Sequence, residues 1–350
     1  MNTGSTWHTS WSNENCEQVL NALQSAGNLR ILVVGDLMVD AYLLGRVERI
    51  SPEAPVPILR AHQRDRRAGG AANVALNLKA MGVEVTVAGI IGEDQDGEDL
   101  MGELAHLDMD TRGVLPLADR RTTVKTRVMS GGQHLLRVDE EDDMDLDADA
   151  SQHFLETLAK VLANQDFDAI LIEDYDKGAL SPTVIDGLLS MAREREIPVT
   201  VDPKFRHFEL YRGVSLFKPN LKELKDGLGL LWENGDVDAM QRALTDGLDR
   251  LQSEWRPDAI LLTLSELGVR VRTATSDVQQ PAHPREILDV SGAGDTVISV
   301  ATVLLAQGLD PVSMAQVANL AGGLVCEKPG VVPIDREALM AEVRRLPIHA

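Results

Sequence analysis

Cysteine is nearly absent: among 350 residues there are two, Cys16 and Cys326. They lie far apart and share no CxxC spacing. That argues against a disulfide framework or a cysteine-built zinc site and makes a reducing cytoplasm the expected compartment. Basic charge is also scarce, with 34 Lys and Arg against 55 Asp and Glu and a net charge of −21. Nucleic acid and anionic membrane both draw on basic surface, so neither is an expected partner. A phosphorylated substrate stays open, because a few local cations suffice for one phosphate. No apolar run approaches the roughly 20 residues of a membrane span. The opening MNTGSTWHTSWSNENC lacks a basic stretch followed by an apolar one, so no signal peptide is expected. Residues 1–28 read as a leader, partly frayed, with a short helix near 17–25. No internal repeat is present.

What the chain does hold is alternation. Apolar β-branched runs at 29–40 (LRILVVGDLMVD), 82–92, 167–175, 197–203, 214–220 and 257–268 read as buried parallel strands. Between them lie helical patterns at 71–81, 97–107, 150–163, 182–196, 221–228 and 237–253. This predicts an α/β fold, a doubly wound and mostly parallel sheet flanked by helices, over 29–350. Ligands of such sheets bind beyond the carboxyl ends of the strands. Two segments break the rhythm. Residues 45–67 are rich in proline and arginine, and 120–140 read as a hairpin turning at Gly131-Gly132. Together they suggest a small inserted β-lid, whose apolar face would need a partner surface, so a homodimer through the lids is expected. The acidic run DEEDDMDLDAD (139–149) reads as a solvated loop leading into a helix cap.

The chemistry concentrates in DVSGAGDTV (289–297), a glycine-rich turn followed by the helical pattern Val297 to Leu305. A helix entrance presents free N–H groups and the positive end of the dipole, and glycines let them close on a phosphate. Gly292, Ala293 and Gly294 offer such a nest for charge developing on a transferring phosphoryl group. Asp295 faces the same point and could take a proton from an attacking hydroxyl. Its plain alternative is a helix cap. The stretch is neither GxxxxGK[ST] nor a GxGxxG after the first strand, so neither a Walker loop nor a dinucleotide site has support.

DVSGAGDTVISVATVLLAQG resembles the C-terminal signature of the ribokinase/phosphofructokinase-B family of sugar kinases, and AGGAANVALNLKAMG (68–82) resembles its N-terminal signature. The likeness covers about residues 29–345. Within the family, GDLMVDAYLLGRVERISPEAPVPIL (35–59), EDYDKGAL (173–180) and VDPK (201–204) are most similar to the branch acting on D-glycero-β-D-manno-heptose 7-phosphate. The resemblance implies an ATP-dependent, Mg²⁺-requiring kinase for the anomeric hydroxyl of that sugar phosphate, serving ADP-heptose and lipopolysaccharide synthesis. Asp295 would be the base and the amides of 292–295 the anion hole. A requirement for a monovalent cation is left open. Residues 331–350 finish one helix, so the adenylyl transfer step is expected on another chain. Two other readings stay open: a kinase for another sugar phosphate of the fructose or tagatose type, and a non-catalytic sugar-phosphate or nucleotide sensor.

On the substrate side, Asp36 and Asp40 follow a buried strand and suit a polyol, although turn or cap residues would look the same. Gly69 and Gly70 let the backbone close on a ligand, and Asn73 can both donate and accept. The family likeness favours sugar binding for Asp40, Gly69, Gly70 and Asn73. Lys177 and Lys204, helped by a lid arginine (Arg127 or Arg137), are expected to hold the phosphate already on the sugar. On the nucleotide side, KPNLKEL (218–224) resembles the family's NxxE motif. That gives Asn220 and Glu223, the latter as an outer-sphere Mg²⁺ residue, while a capping box reads equally well. TLSELG (263–268) resembles the family's TLGxxG turn, with Ser265 where glycine is usual, then Glu266 and Gly268. An adenine slot is implied near Asn319, Gly322 and Gly323.

Overall fold

A computed structural model describes residues 11–233 and 236–348. The strands are β1 (Arg30–Gly35), β2 (Leu37–Ile50), β3 (Pro57–Gly70), β4 (Glu84–Gly92), β5 (Asp110–Leu117), β6 (Thr123–Ser130) and β7 (Gln133–Glu140). They continue with β8 (Ala169–Glu173), β9 (Val199–Asp202), β10 (Leu216–Phe217), β11 (Ala259–Thr263), β12 (Val269–Thr273) and β13 (Asp277–Gln280). Among the described residues they form a nine-stranded sheet in the order β13-β12-β11-β10-β9-β8-β1-β4-β5 and a four-stranded sheet, β3-β2-β6-β7. The large sheet is parallel from β5 to β11, and β12 and β13 run antiparallel at its edge.

Both faces of the large sheet are covered, which is why its central strands are apolar throughout. Within β1, Ile31 and Val33 join one core and Leu32 and Val34 the other, following the two-residue period of a strand. The first core lies under the helices Ala71–Ala80, Ala293–Ala306 and Pro311–Cys326, and the second under Ala148–Asn164, Pro182–Glu194 and Val237–Glu254. Burying one such aliphatic side chain contributes about 1.5–3 kcal/mol. These cores therefore hold the polar strand ends in place.

The expected leader helix begins earlier, as Asn13–Ser25, because Ser12 and Asn15 form a capping box. It docks on the first core through Val19, Ala22 and Leu23. Residues 1–10 of the leader lie outside the described residues. β5, β12 and β13 add strands at the two edges of the sheet that the apolar runs do not reveal.

The chain enters the sheet at its middle, fills one side with β4 and β5, and returns to fill the other from β8. The reversal between β1 and β8 opens a crevice beyond their carboxyl ends, the usual ligand position in such sheets. Two residues after β1 ends, at Leu37, the chain leaves for the small sheet. It comes back along β3 to Gly70, paired with Leu37, and starts the helix Ala71–Ala80. The small sheet thus begins at Leu37, and Asp40 is one of its residues. Its outer hairpin joins β6 to β7 through Gly131 and Gly132, at φ 57° and 83°.

Candidate active site

At the mouth of the helix Ala293–Ala306, Gly292 adopts the left-handed conformation (φ 78°, ψ 1°) and makes no side-chain cap bond. A side chain is strained at that φ, and a Cβ there would also stand 3.1 Å from the amide nitrogen of Asn73. The Ala293 N–H donates to the Val290 carbonyl at 3.3 Å, while among the described residues the Gly294 and Asp295 N–H groups have no acceptor and can meet an anion. Asp295, buried on that first turn, does not cap the helix. Its Oδ2 accepts from Asn73 Nδ2 at 2.5 Å and its Oδ1 from the Tyr175 hydroxyl at 3.1 Å. Burial raises its carboxyl above the ordinary value, the Asn73 hydrogen bond opposes this, and the Asp202 charge adds to it. Asn73 Oδ1, the other polar atom of that amide, is buried with no hydrogen-bond partner among the described residues.

Three carboxylates converge here. Ligand atoms of Glu173, Asp202 and Asp295 all lie within 4.8 Å of one another. Glu173 is fully buried and neither of its oxygens has a hydrogen-bond partner among the described residues. Burial, then Asp202 and Asp295, push its carboxyl well above the ordinary range. Lys218 donates to Asp202 at 2.7 Å, and its Nζ lies 3.6 Å from where a Cβ on Gly294 would stand. Lys204 donates to Glu223 at 2.6 Å and lies 3.7 Å from Asp202. Burial works against the Lys204 ammonium, yet Asp202, Glu223 and Glu173 carry it above its ordinary value. Hard oxygen donors with unused lone pairs suit a divalent cation such as Mg²⁺. Sequence reading passed over Tyr175, Glu173, Asp202 and Lys218, although all four stand in or beside EDYDKGAL, VDPK and KPN.

Glu223 is a capping-box residue: its Oε2 accepts the Asn220 N–H at 2.8 Å, and Asn220 Oδ1 accepts the Glu223 N–H at 2.8 Å. With Lys204 on its other oxygen, it faces the acidic cluster as a paired group. Asp36 departs from the expected sugar contact. Both of its oxygens are taken by backbone N–H groups, Tyr175 at 2.8 Å, Lys177 at 3.0 Å and Ala179 at 3.1 Å. It staples the 175–179 loop onto the end of β1.

Asp40 stands on the site-facing side of the small sheet, paired with Arg127. A Cβ on Gly69 would come within 2.5 Å of Asp40 Oδ2, so that glycine makes room for the carboxylate. Gly70, at φ 58°, precedes the Asn73 helix. The cations expected to hold the substrate phosphate are already paired. Lys177 donates to Glu141 at 2.8 Å and Arg137 to Asp139 at 2.8 Å, while Lys204 sits among the acids beside Asp202, its ammonium 4.9 Å from the centroid of the Tyr175 ring.

On the nucleotide side, Ser265 takes φ 52°, which explains why glycine would suit it, and Glu266 beside it is exposed. Gly268 is more demanding: at φ 88°, a Cβ would meet the Gln280 carbonyl oxygen at 2.0 Å. Asn319 donates to the Pro281 carbonyl at 2.8 Å. The room at Gly322 is taken by Val297, 2.7 Å from a built Cβ, and Gly323 lies under the Arg285 stem at 3.1 Å. Those two glycines therefore serve helix packing and the Arg285 contact, while Leu288 and Val290 expose apolar surface beside the nest. No helix among the described residues is long and apolar enough to cross a membrane.

Comparison with known proteins agrees with this architecture. The family model described as pfkB family carbohydrate kinase matches residues 28–337. The bifunctional protein HldE of Citrifermentans bemidjiense is 39% identical over 327 residues, covering 93% of this chain and 66% of that protein. HldE of Pseudomonas aeruginosa PAO1 is 41% identical over 317 residues, covering 90% and 64%. The chain thus spans a little under two thirds of the length of these curated relatives. Among solved structures, phosphofructokinase-2 from Escherichia coli in complex with potassium superposes with a TM-score of 0.73 at 19% identity, covering 91% of this chain and 99% of that one. Arabidopsis thaliana ribokinase complexed with ribose and ATP gives 0.67 at 17%, covering 90% and 99%. At those identities the likeness speaks for the fold, and the family match spans most of the sequence. The chain belongs to the pfkB family of carbohydrate kinases.

Proposed function

We propose that the chain transfers the γ-phosphoryl group of ATP to the anomeric hydroxyl of D-glycero-β-D-manno-heptose 7-phosphate, giving the 1,7-bisphosphate on the way to ADP-heptose. The observation that carries the reading is the setting of Asp295. It is a buried carboxylate on the first turn of a helix entered through the left-handed Gly292, aimed by Asn73 and Tyr175 rather than spent on a cap. A sensor would have no use for a base so held. In this reading the sugar hydroxyl attacks the γ-phosphorus as Asp295 takes its proton, and the amides of residues 292–295 stabilise the charge on the transferring group. Lys218, tied to Asp202 and next to Gly294, adds positive charge at that point. Raised basicity suits the role, because a base works best when its pKa approaches the working pH. Asp202 and Glu173, with Glu223 at longer range, would hold Mg²⁺, which when bound neutralises phosphate charge.

The choice of heptose 7-phosphate over other sugar phosphates rests on the relatives named HldE and on the motifs 35–59, 173–180 and 201–204. A panel of sugar phosphates with ATP tests it: heptose 7-phosphate should give the highest kcat/KM, and a higher value with fructose or tagatose phosphate would reassign the substrate. The small sheet closes over the sugar as a lid and keeps water from the phosphoryl group. Its outer face exposes Leu136 and Val138, with Ile50 at the end of β2 and Val56 just before β3, apolar surface that pairing with a second copy would cover.

A further inference from the structure

The cations around the crevice come with partners: Lys177 with Glu141, Lys204 with Glu223, Lys218 with Asp202, Arg127 with Asp40 and Arg137 with Asp139. Arg120 is spent on the backbone carbonyls of Asp142, Met144 and Lys177. Lys125 differs. It lies on β6, in register with Asp40 on β2 and Asp139 on β7, and is half-buried. Among the described residues its ammonium has no hydrogen bond and no carboxylate within ion-pair reach. Its contact is the face of the Tyr175 ring, at 5.3 Å from the centroid. The hydroxyl of that same ring touches Asp295. One aromatic ring therefore spans the distance between the base and an uncommitted cation on the small sheet.

We infer that Lys125, with Lys177 beside it, forms the subsite for the phosphomonoester that the acceptor sugar already carries. Burial first, and the Lys177 ammonium second, push the Lys125 ammonium below its ordinary value, so an ion with two negative charges relieves a cost the free protein bears. A cation–π contact with Tyr175 offsets part of that cost and holds the stem in one direction. The span from Asp295 across Tyr175 then measures the substrate: a hydroxyl reacts at one end and the phosphate sits at the other. The proposal rests on the kinase reading above and adds the residue that selects a phosphorylated acceptor.

Lys125→Met tests it, because it removes the charge and orphans no partner, whereas Lys177→Met would strand Glu141. The quantity read is the ratio of kcat/KM for heptose 7-phosphate to that for the same heptose without phosphate. The ratio should fall about 10- to 100-fold, as expected for a lost charge-assisted hydrogen bond. In thermal melts, heptose 7-phosphate should raise the Tm of wild type more than that of the variant, and the free variant should melt no lower than wild type. Lys125→Gln provides the same test if methionine perturbs the fold. An unchanged ratio and an unchanged ligand shift, with wild type turning over heptose 7-phosphate, would overturn the Lys125 assignment and leave the kinase reading standing. A wild type that phosphorylates no sugar phosphate would overturn the kinase reading and this inference with it.

Discussion

Asp295 divides its carboxylate between Asn73 and Tyr175, and this allows its proposed role as base and its tuning to be tested separately. Asp295→Asn keeps the shape and removes the proton acceptor, so kcat should drop by about 10²- to 10⁴-fold while ATP still binds; turnover within a few-fold of wild type would exclude the base role. Tyr175→Phe removes a hydrogen bond that lowers the Asp295 pKa. The acid limb of the kcat/KM profile should therefore move to higher pH in that variant, and a shift to lower pH would contradict the geometry. Much of this was legible in the sequence, since GAGD announces a helix mouth and AGGAAN a second one. The pairing of Asn73 with Asp295 across 222 residues was not. Nor was the diversion of Asp36 to three backbone amides, because a carboxylate after a strand reads the same whether it faces a sugar or a loop.

At the scale of elements, the turns fix where the chemistry stands. Gly292→Ala should strain the left-handed entry to the helix and crowd Asn73, lowering kcat with only a modest loss of stability, measured by kinetics beside a thermal melt. Gly268→Ala should be costlier to the fold, about 2 kcal/mol or more, because strain adds to a contact with the fixed Gln280 carbonyl. The buried parallel strands and the helices between them could be read from periodicity, and Leu221–Leu228 matches the expected span because its Asn220 and Glu223 cap is local. β5 could not: DTRGVLPL mixes charge, glycine and proline, and it is a strand because β4 pairs with it. The small sheet likewise reaches back to Leu37, since apolar residues on both sides of Gly35 and Asp36 hide the point at which the chain changes sheets.

For the whole molecule, buried carboxylates make stability depend on pH. Burial, then the Asp36 charge, raise Asp174 from 3.8 to about 7. Between those values the folded chain binds more protons than the unfolded one, so stability falls as pH rises through the window and levels off above it. Melts should show wild type more stable at about pH 5.5 than at about pH 8. The stability gained by Asp174→Asn should be larger at the higher pH, and an equal gain at both would contradict the burial argument. If two copies pair through the small sheets, Leu136→Glu should shift sedimentation toward the monomer, and a wild type already monomeric would remove that proposal. The central claim, phosphoryl transfer from ATP to the anomeric carbon of a sugar already phosphorylated, is tested most directly by ³¹P NMR of the product made from ATP and heptose 7-phosphate. A second sugar phosphorus resonance coupled to the anomeric proton is expected. Its appearance on another carbon, or its absence while ATP and protein are intact, would contradict the account.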